Sequence, residues 1–178
     1  MTAEFVILVN EDDTEIGQIE KQEAHNLGLL HRAFSVLLFN SKGELLLQQR
    51  AAHKYHSPLL WTNACCSHQR PGEATLIAAK RRLQEEMGLN AKMETAFTFT
   101  YKAKLDQGLT EHEIDHVVFA YGNQEPKINT EEVEAYKWIG LSELLKDLEK
   151  YPHAYTAWFK ILLNQHLDAI TKAAYESV

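Results

Sequence analysis

The sequence predicts one α/β domain, a sandwich in which a mixed set of strands surrounds a central helix. Three observations point there. Strand-like runs separated by turn signals fill much of the chain. One amphipathic segment, Thr75 to Met87, interrupts them at helical spacing. A second helical pattern closes the chain after Thr156, and mixed strands around one helix with more helix behind form a sandwich. The 178 residues, 45% apolar, suffice for one sizeable core, and no repeat or Pro/Gly/Ser linker divides them. A single domain over 1–178 is expected.

Taken in order, residues 5–9 (FVILV) and 17–21 (GQIEK) read as short strands around the polar turn Asn10-Glu11-Asp12-Asp13. Residues 31–50, "HRAFSVLLFNSKGELLLQQR", read as a hairpin turning at Asn40-Ser41-Lys42-Gly43. "WTNACCSH" reads as one short strand entering a loop at Gln69-Arg70-Pro71-Gly72. Leu76, Ala79, Leu83 and Met87 then share a helix face that Gly88 ends. The strands "METAFTFTYKAK", "EHEIDHVVFAYG" and "AYKWIGL" follow, and Ser142 is the expected cap of a helix through Lys150. Phe159, Leu162, Leu163, Leu167 and Ile170 predict a longer final helix.

Composition narrows the function. A formal charge of −7 supplies no basic field for nucleic acid, so an anionic ligand needs a local cation cluster or carboxylate-held metal. No run approaches the ~18 apolar residues of a membrane span, and the N-terminus resembles no targeting peptide. A cytoplasmic protein without a membrane partner is expected. The two cysteines, Cys65 and Cys66, are neighbours, and a bond between adjacent residues strains the ring. Strand alternation instead turns one thiol to a pocket and the other to the core, where isolated cysteines usually pack.

Within "RRLQEEMGL", Arg81, Glu85, Glu86 and Gly88 fall where the Nudix signature places its Arg, last two Glu and final Gly. Glu73 fits the earlier Glu. Ser67 replaces the opening Gly, and Arg82 replaces the Glu beside the Arg. That second change removes a carboxylate that would escort Mg²⁺ and a diphosphate. The segment therefore resembles the Nudix fold without the complete hydrolase box.

His25, His31 and His68 lie near element ends, and alternation in "TEHEIDH" turns Glu111 and Glu113 to one face and His112 to the other. Three imidazoles and two carboxylates suit a five- or six-coordinate divalent ion such as Mg²⁺, Mn²⁺ or Zn²⁺. His53, His56, His112, His116, His153 and His166 read as surface or capping residues.

In combination, Lys21…His25…His31, the TNxxCxH of 62–68, the helix with Arg82 and Glu86, Tyr101, Glu111-x-Glu113 and Trp158 resemble type I isopentenyl diphosphate isomerase. The resemblance runs from about Lys21 to Trp158. It implies that His25, His31, His68, Glu111 and Glu113 hold one ion, with Cys66 counted among the metal-site residues. It implies that Cys66, Glu113 and Tyr101 are catalytic and that Glu86 holds a second, diphosphate-bridging Mg²⁺. Lys21, Arg50, Lys54 and Arg82 match diphosphate contacts, and Trp158 the aromatic lid over the hydrocarbon. The implied reaction interconverts isopentenyl and dimethylallyl diphosphate through a tertiary carbocation, with an acid and a base on opposite sides of the chain. The implied working form is a monomer on a small allylic or homoallylic diphosphate. A Nudix hydrolase is the alternative, but it needs a carboxylate at position 82. A non-catalytic metal- or diphosphate-binding module is the third reading.

Overall fold

The computed structural model describes residues 4–178. Strands β1 (Phe5–Val9) and β2 (Glu15–Glu20) pair antiparallel. Asn10 shapes their turn, its Oδ1 accepting the N–H groups of Asp12 at 3.1 Å and Thr14 at 2.9 Å. The second strand stops one residue short of the expected Lys21, which instead opens α1 (Lys21–Leu27). This helix was not anticipated. It is barely two turns long, lacks a side-chain cap, and buries only Ala24 and His25, too little for a periodic signal.

The expected hairpin forms β3 (His31–Phe39) and β4 (Glu44–Arg50), but the two strands share only the Phe39–Leu45 rung. They splay because each has a longer partner. β3 runs parallel to β8 (Thr110–Tyr121) over its whole length, while β4 pairs antiparallel with β9 (Val133–Gly140). The splay also corrects the single strand expected in "WTNACCSH". It is two, β5 (Trp61–Asn63) on β4 and β6 (Cys65–Ser67) on β3. Asn63 Nδ2 fills the joint, donating to Val36 O at 3.1 Å and Cys65 O at 2.7 Å. With β7 (Lys92–Lys104) antiparallel to β8, the strands make one nine-stranded mixed sheet.

Alternation along β3 assigns the layers. Phe34, Val36 and Leu38 face α2 (Thr75–Met87), whose Ala78, Ala79, Leu83 and Met87 are buried against them. Leu37 and Phe39 face the other way, toward Phe159, Leu162, Leu163 and Ile170 of α4 (Ala157–Glu176); Leu167 is only half-buried. The helix α3 (Leu141–Lys150) has Gly140 at its cap, so Ser142 lies inside the first turn and does not cap it. The α/β sandwich with a central helix is as expected, and its two faces separate the neighbouring cysteines. Cys65 sits in the α2 layer, and Cys66 packs against the α4 layer.

Gly88 ends α2 at φ +63, where an added Cβ would stand 2.7 Å from the Lys127 carbonyl oxygen. Gly72 is equally left-handed at φ +76 but open, with nothing within 4 Å. Both alanine variants meet the left-handed backbone cost of about 1–2 kcal/mol; only Gly88→Ala adds a backbone clash. Urea unfolding should show the larger loss for Gly88→Ala, and equal losses would contradict this packing.

Candidate active site

The parallel register of β3 and β8 sets His31 directly beside Glu113. His25 arrives from the last turn of α1, and His68 from just beyond β6, the other neighbour of β3. Four ligand-type atoms therefore converge from four elements. Glu113 Oε1 lies 3.0 Å from His68 Nε2, 3.3 Å from His31 Nε2 and 3.9 Å from His25 Nε2, and the Nε2 atoms of His31 and His68 are 3.2 Å apart. Donors on one ion, about 2.1 Å from it, are spaced about 3.0 Å at right angles and about 4.2 Å when opposite. All four separations fall in that window.

The far side of each ring agrees. His25 Nδ1 is 2.7 Å from Lys21 O, and His31 Nδ1 is 2.8 Å from Leu29 O. Carbonyls only accept, so Nδ1 carries the hydrogen and Nε2 turns a lone pair to the centre, the tautomer of a metal ligand. His25 Nε2 is buried without a hydrogen-bond partner. Lone pairs crowded at one buried point are unfavourable unless a cation meets them. The residues fit a divalent ion.

Glu111 is buried beside this group, its carboxylate bridged to that of Glu113 by Tyr101. The phenol Oη lies 2.8 Å from Glu111 Oε2 and 2.7 Å from Glu113 Oε2. Burial and the charge of Glu113 push the Glu111 carboxyl well above its ordinary range. Burial acts on Glu113 in the same direction, but the imidazoles of His25, His31 and His68 outweigh it and hold that carboxyl well below. Glu111 groups instead with His25 and His56, each offering one ligand atom within 4.8 Å of the others. His56 is thus no surface or capping residue: it is 5% exposed and turned into the pocket. Burial, reinforced by the charge of Arg50, lowers its pKa to about 2, so the ring is neutral.

Cys66 stands outside both donor groups. Its Sγ is 3.5 Å from Ser35 Oγ, which lies 2.6 Å from Asp115 Oδ2. Burial, then the nearby Asp115 and Glu113 charges, push the thiol well above its usual range, so it carries its proton. Burial and Glu113 likewise push Asp115 up to about 8. On the other layer, Cys65 Sγ is 3.6 Å from Glu86 Oε1, whose carboxylate also accepts from Gln48 at 2.8 Å and Arg82 at 2.6 Å. Cys65 is therefore a contact of Glu86 as well as packing.

The expected cations Lys21, Arg50, Lys54 and Arg82 line the pocket with Cys66, His68, Glu86, Glu111, Glu113 and Trp158. Each is already engaged. Lys21 pairs with Glu4, Lys54 pairs with Glu132, and Arg82 reaches Glu85 at 2.9 Å and Glu132 at 3.3 Å. Arg50 donates to the carbonyls of His56 at 3.0 Å and Ser57 at 3.1 Å, and lies 5.3 Å from the centre of the Trp158 ring. Trp158 is placed by the start of α4, which Thr156 ties to β5 through its N–H to Trp61 O (3.0 Å) and its hydroxyl to Thr62 (3.1 Å).

Every expected site residue therefore lines this pocket or borders it. Sequence reading missed His56, Ser35, Asp115 and Glu132. Asp115 had a signal, since it continues the alternation of Glu111 and Glu113 on β8; the others meet the site only through long-range packing. Among the described residues no helix is long and apolar enough to cross a membrane.

Comparison with known proteins agrees with this geometry. Residues 29–159 match the NUDIX domain. An isopentenyl-diphosphate Delta-isomerase of Pectobacterium atrosepticum is 51% identical over 156 residues, covering 88% of this chain and 87% of that one. Isopentenyl-diphosphate Delta-isomerase 1 of Aromatoleum aromaticum is 49% identical over 160 residues, 90% of each chain. Among solved structures, a Deinococcus radiodurans protein superposes with a TM-score of 0.73 at 18% identity, covering 97% of this chain and 99% of that one. A MutT protein from Methanosarcina mazei gives 0.61 at 20% identity, covering 83% and 94%. The last two speak for the fold alone. With a NUDIX domain over most of its length and close sequence identity to these enzymes, the chain belongs to the isopentenyl-diphosphate Delta-isomerase family.

Proposed function

We propose that the chain interconverts isopentenyl diphosphate and dimethylallyl diphosphate. A proton is added at the terminal alkene carbon, a tertiary carbocation forms, and a proton leaves C2. The observation that carries this reading is the juxtaposition in one pocket of Tyr101–Glu113 and Cys66, on strands either side of β3, beneath a rim of four cations. Such a pocket offers proton-transfer groups from two directions to a chain held by its charged end.

In this reading His25, His31, His68, Glu111 and Glu113 bind one divalent ion, Mg²⁺, Mn²⁺ or Zn²⁺. When bound, it supplies charge that keeps both buried carboxylates ionised and orients Glu113. The free oxygen of Glu113, coupled to the Tyr101 phenol, handles the proton on one side. Cys66 handles it on the other, and because the reaction is reversible each side gives in one direction and takes in the other. Cys66 belongs to this proton-transfer set, its metal-site role set aside. Lys21, Arg50, Lys54 and Arg82 take the diphosphate, and Glu86 would hold a Mg²⁺ that would neutralise part of the diphosphate charge. Trp158 lends its π surface to the cation, worth roughly 2 kcal/mol when desolvated, and excludes water that would trap it as an alcohol. The working unit is a cytoplasmic monomer acting on a small diphosphate, without nucleic acid or membrane.

The hydrolase alternative fares worse at Arg82. Its guanidinium occupies the helix face where hydrolase chemistry asks for a carboxylate, and three carboxylates hold it there.

NMR of isopentenyl diphosphate with the protein and Mg²⁺ in D₂O tests the reaction class. Deuterium should enter the new methyl group and C2; release of phosphate without exchange would point to the hydrolase. Cys66→Ala should abolish turnover with the fold intact. Cys65→Ala should keep most activity, since losing one thiol contact to Glu86 costs about 1 kcal/mol. The reverse order would refute the assignment of the two thiols. Glu113→Gln should fall further than Glu111→Gln at matched metal content, and equal activities would leave Glu113 without a separate proton role.

A further inference from the structure

His56 is a buried imidazole that the proposed reaction leaves unused. Its Nε2 is 3.8 Å from Glu111 Oε1, within the spacing of two ligands on one ion, and His56, Glu111 and His25 each offer one ligand atom within 4.8 Å of the others. Its other nitrogen, Nδ1, lies 3.3 Å from Ser57 Oγ, a hydroxyl that can serve the hydrogen-bearing nitrogen and leave Nε2 its lone pair. The ring is held in place from several sides. Its edge meets Trp158 and Tyr55, with centroids 5.8 and 4.4 Å apart. The backbone is pinned by Arg50 through the carbonyls of His56 and Ser57, and by Asp106, which accepts the Ser57 N–H at 3.0 Å. Ser57 and Leu59 take φ of +48 and +60, and non-glycine residues hold such angles only where the surroundings dictate them. A strained loop fixed on both sides delivers one imidazole to the donor cluster.

We infer that His56 is a further ligand of the metal held by His25 and Glu111, giving this chain a fourth imidazole and a preference for a nitrogen-loving ion such as Zn²⁺ over Mn²⁺ or Mg²⁺. This rests on the reading of the His25–His31–His68–Glu113 cluster as a metal site. Carboxylates alone suit Mg²⁺ and Mn²⁺, while each added imidazole moves the set toward the later first-row ions. The two donor groups meet at His25, so His56 and Glu111 would have to draw toward His31, His68 and Glu113 when the ion binds.

The test is a chelator-competition titration of metal-depleted protein with Zn²⁺ and with Mn²⁺, comparing wild type, His56→Phe, His56→Gln and His68→Phe. Phenylalanine keeps the aromatic packing but donates nothing, and should weaken Zn²⁺ about tenfold or more, with a much smaller change for Mn²⁺. Glutamine, an oxygen donor, should restore Mn²⁺ more than Zn²⁺. An unchanged Zn²⁺/Mn²⁺ ratio in His56→Phe overturns the inference. If His68→Phe weakens both ions in that case, the metal site stands and only His56 falls; if neither variant matters, the metal reading itself fails. Cobalt-loaded protein gives a second readout. A paramagnetically shifted imidazole N–H signal that disappears in His56→Phe is expected beside those of His25 and His31, and an unchanged set of shifted signals in that variant would exclude His56.

Discussion

Everything in the site depends on crowding several lone pairs at one buried point. Burying an unpaired charge or an unsatisfied polar atom costs several kcal/mol, and this centre gathers His25, His31, His68, Glu111 and Glu113, all nearly or wholly removed from water except His68. The fold tolerates that because the outer nitrogens of His25 and His31 and the far oxygens of both carboxylates are fixed by backbone carbonyls and by Tyr101. What remains unbalanced faces inward. A cation placed there would answer it and would fix the Glu113 carboxylate.

The sheet explains how such crowding is reached. β3 is shared: β8 lies parallel on one side and β6 antiparallel on the other, so residues distant in sequence fall into one row. The register of β3 on β8 is strongly specified, because a one-residue slip would turn Glu111, Glu113 and Asp115 away from their partners. The splay of β3 from β4 makes room for β5 and β6, and alternation along β6 sends Cys65 toward Glu86 and Cys66 toward Ser35 and Asp115. Two adjacent thiols thus serve two different carboxylate systems across one sheet. The cationic rim is likewise prearranged. Glu132 holds both Lys54 and Arg82, so the repulsion between these neighbouring cations is partly neutralised.

Features set by local periodicity were legible in the sequence. The face of α2, the end at Gly88, the alternation of Glu111 and Glu113, and the opposite facing of Cys65 and Cys66 all follow from repeats of 3.6 or 2 and appear as expected. Features set by long-range pairing were not. α1 is too short to leave a period, and "WTNACCSH" breaks because of the distant strands that flank it. Ser142 has the chemistry of a cap, but β9 runs to Gly140 and the helix starts at once. His56 sits in a loop whose sequence says nothing of the pocket; only Arg50, Asp106 and Trp158 bring it there. Glu132 at the cation rim and the Ser35–Asp115 pair behind Cys66 are likewise set by packing between elements distant in sequence.

The central claim is that a cation, not a hydrogen-bond network alone, resolves the buried cluster. Nitrogen-15 NMR of the histidine rings during addition of one equivalent of Zn²⁺ to metal-depleted protein tests it directly. The account predicts that the Nε2 signals of His25, His31 and His68 move together and saturate at one equivalent, while the Nδ1 atoms of His25 and His31 stay protonated on Lys21 and Leu29. Nε2 signals that ignore the ion, or Nδ1 atoms that bind it instead, would contradict the account.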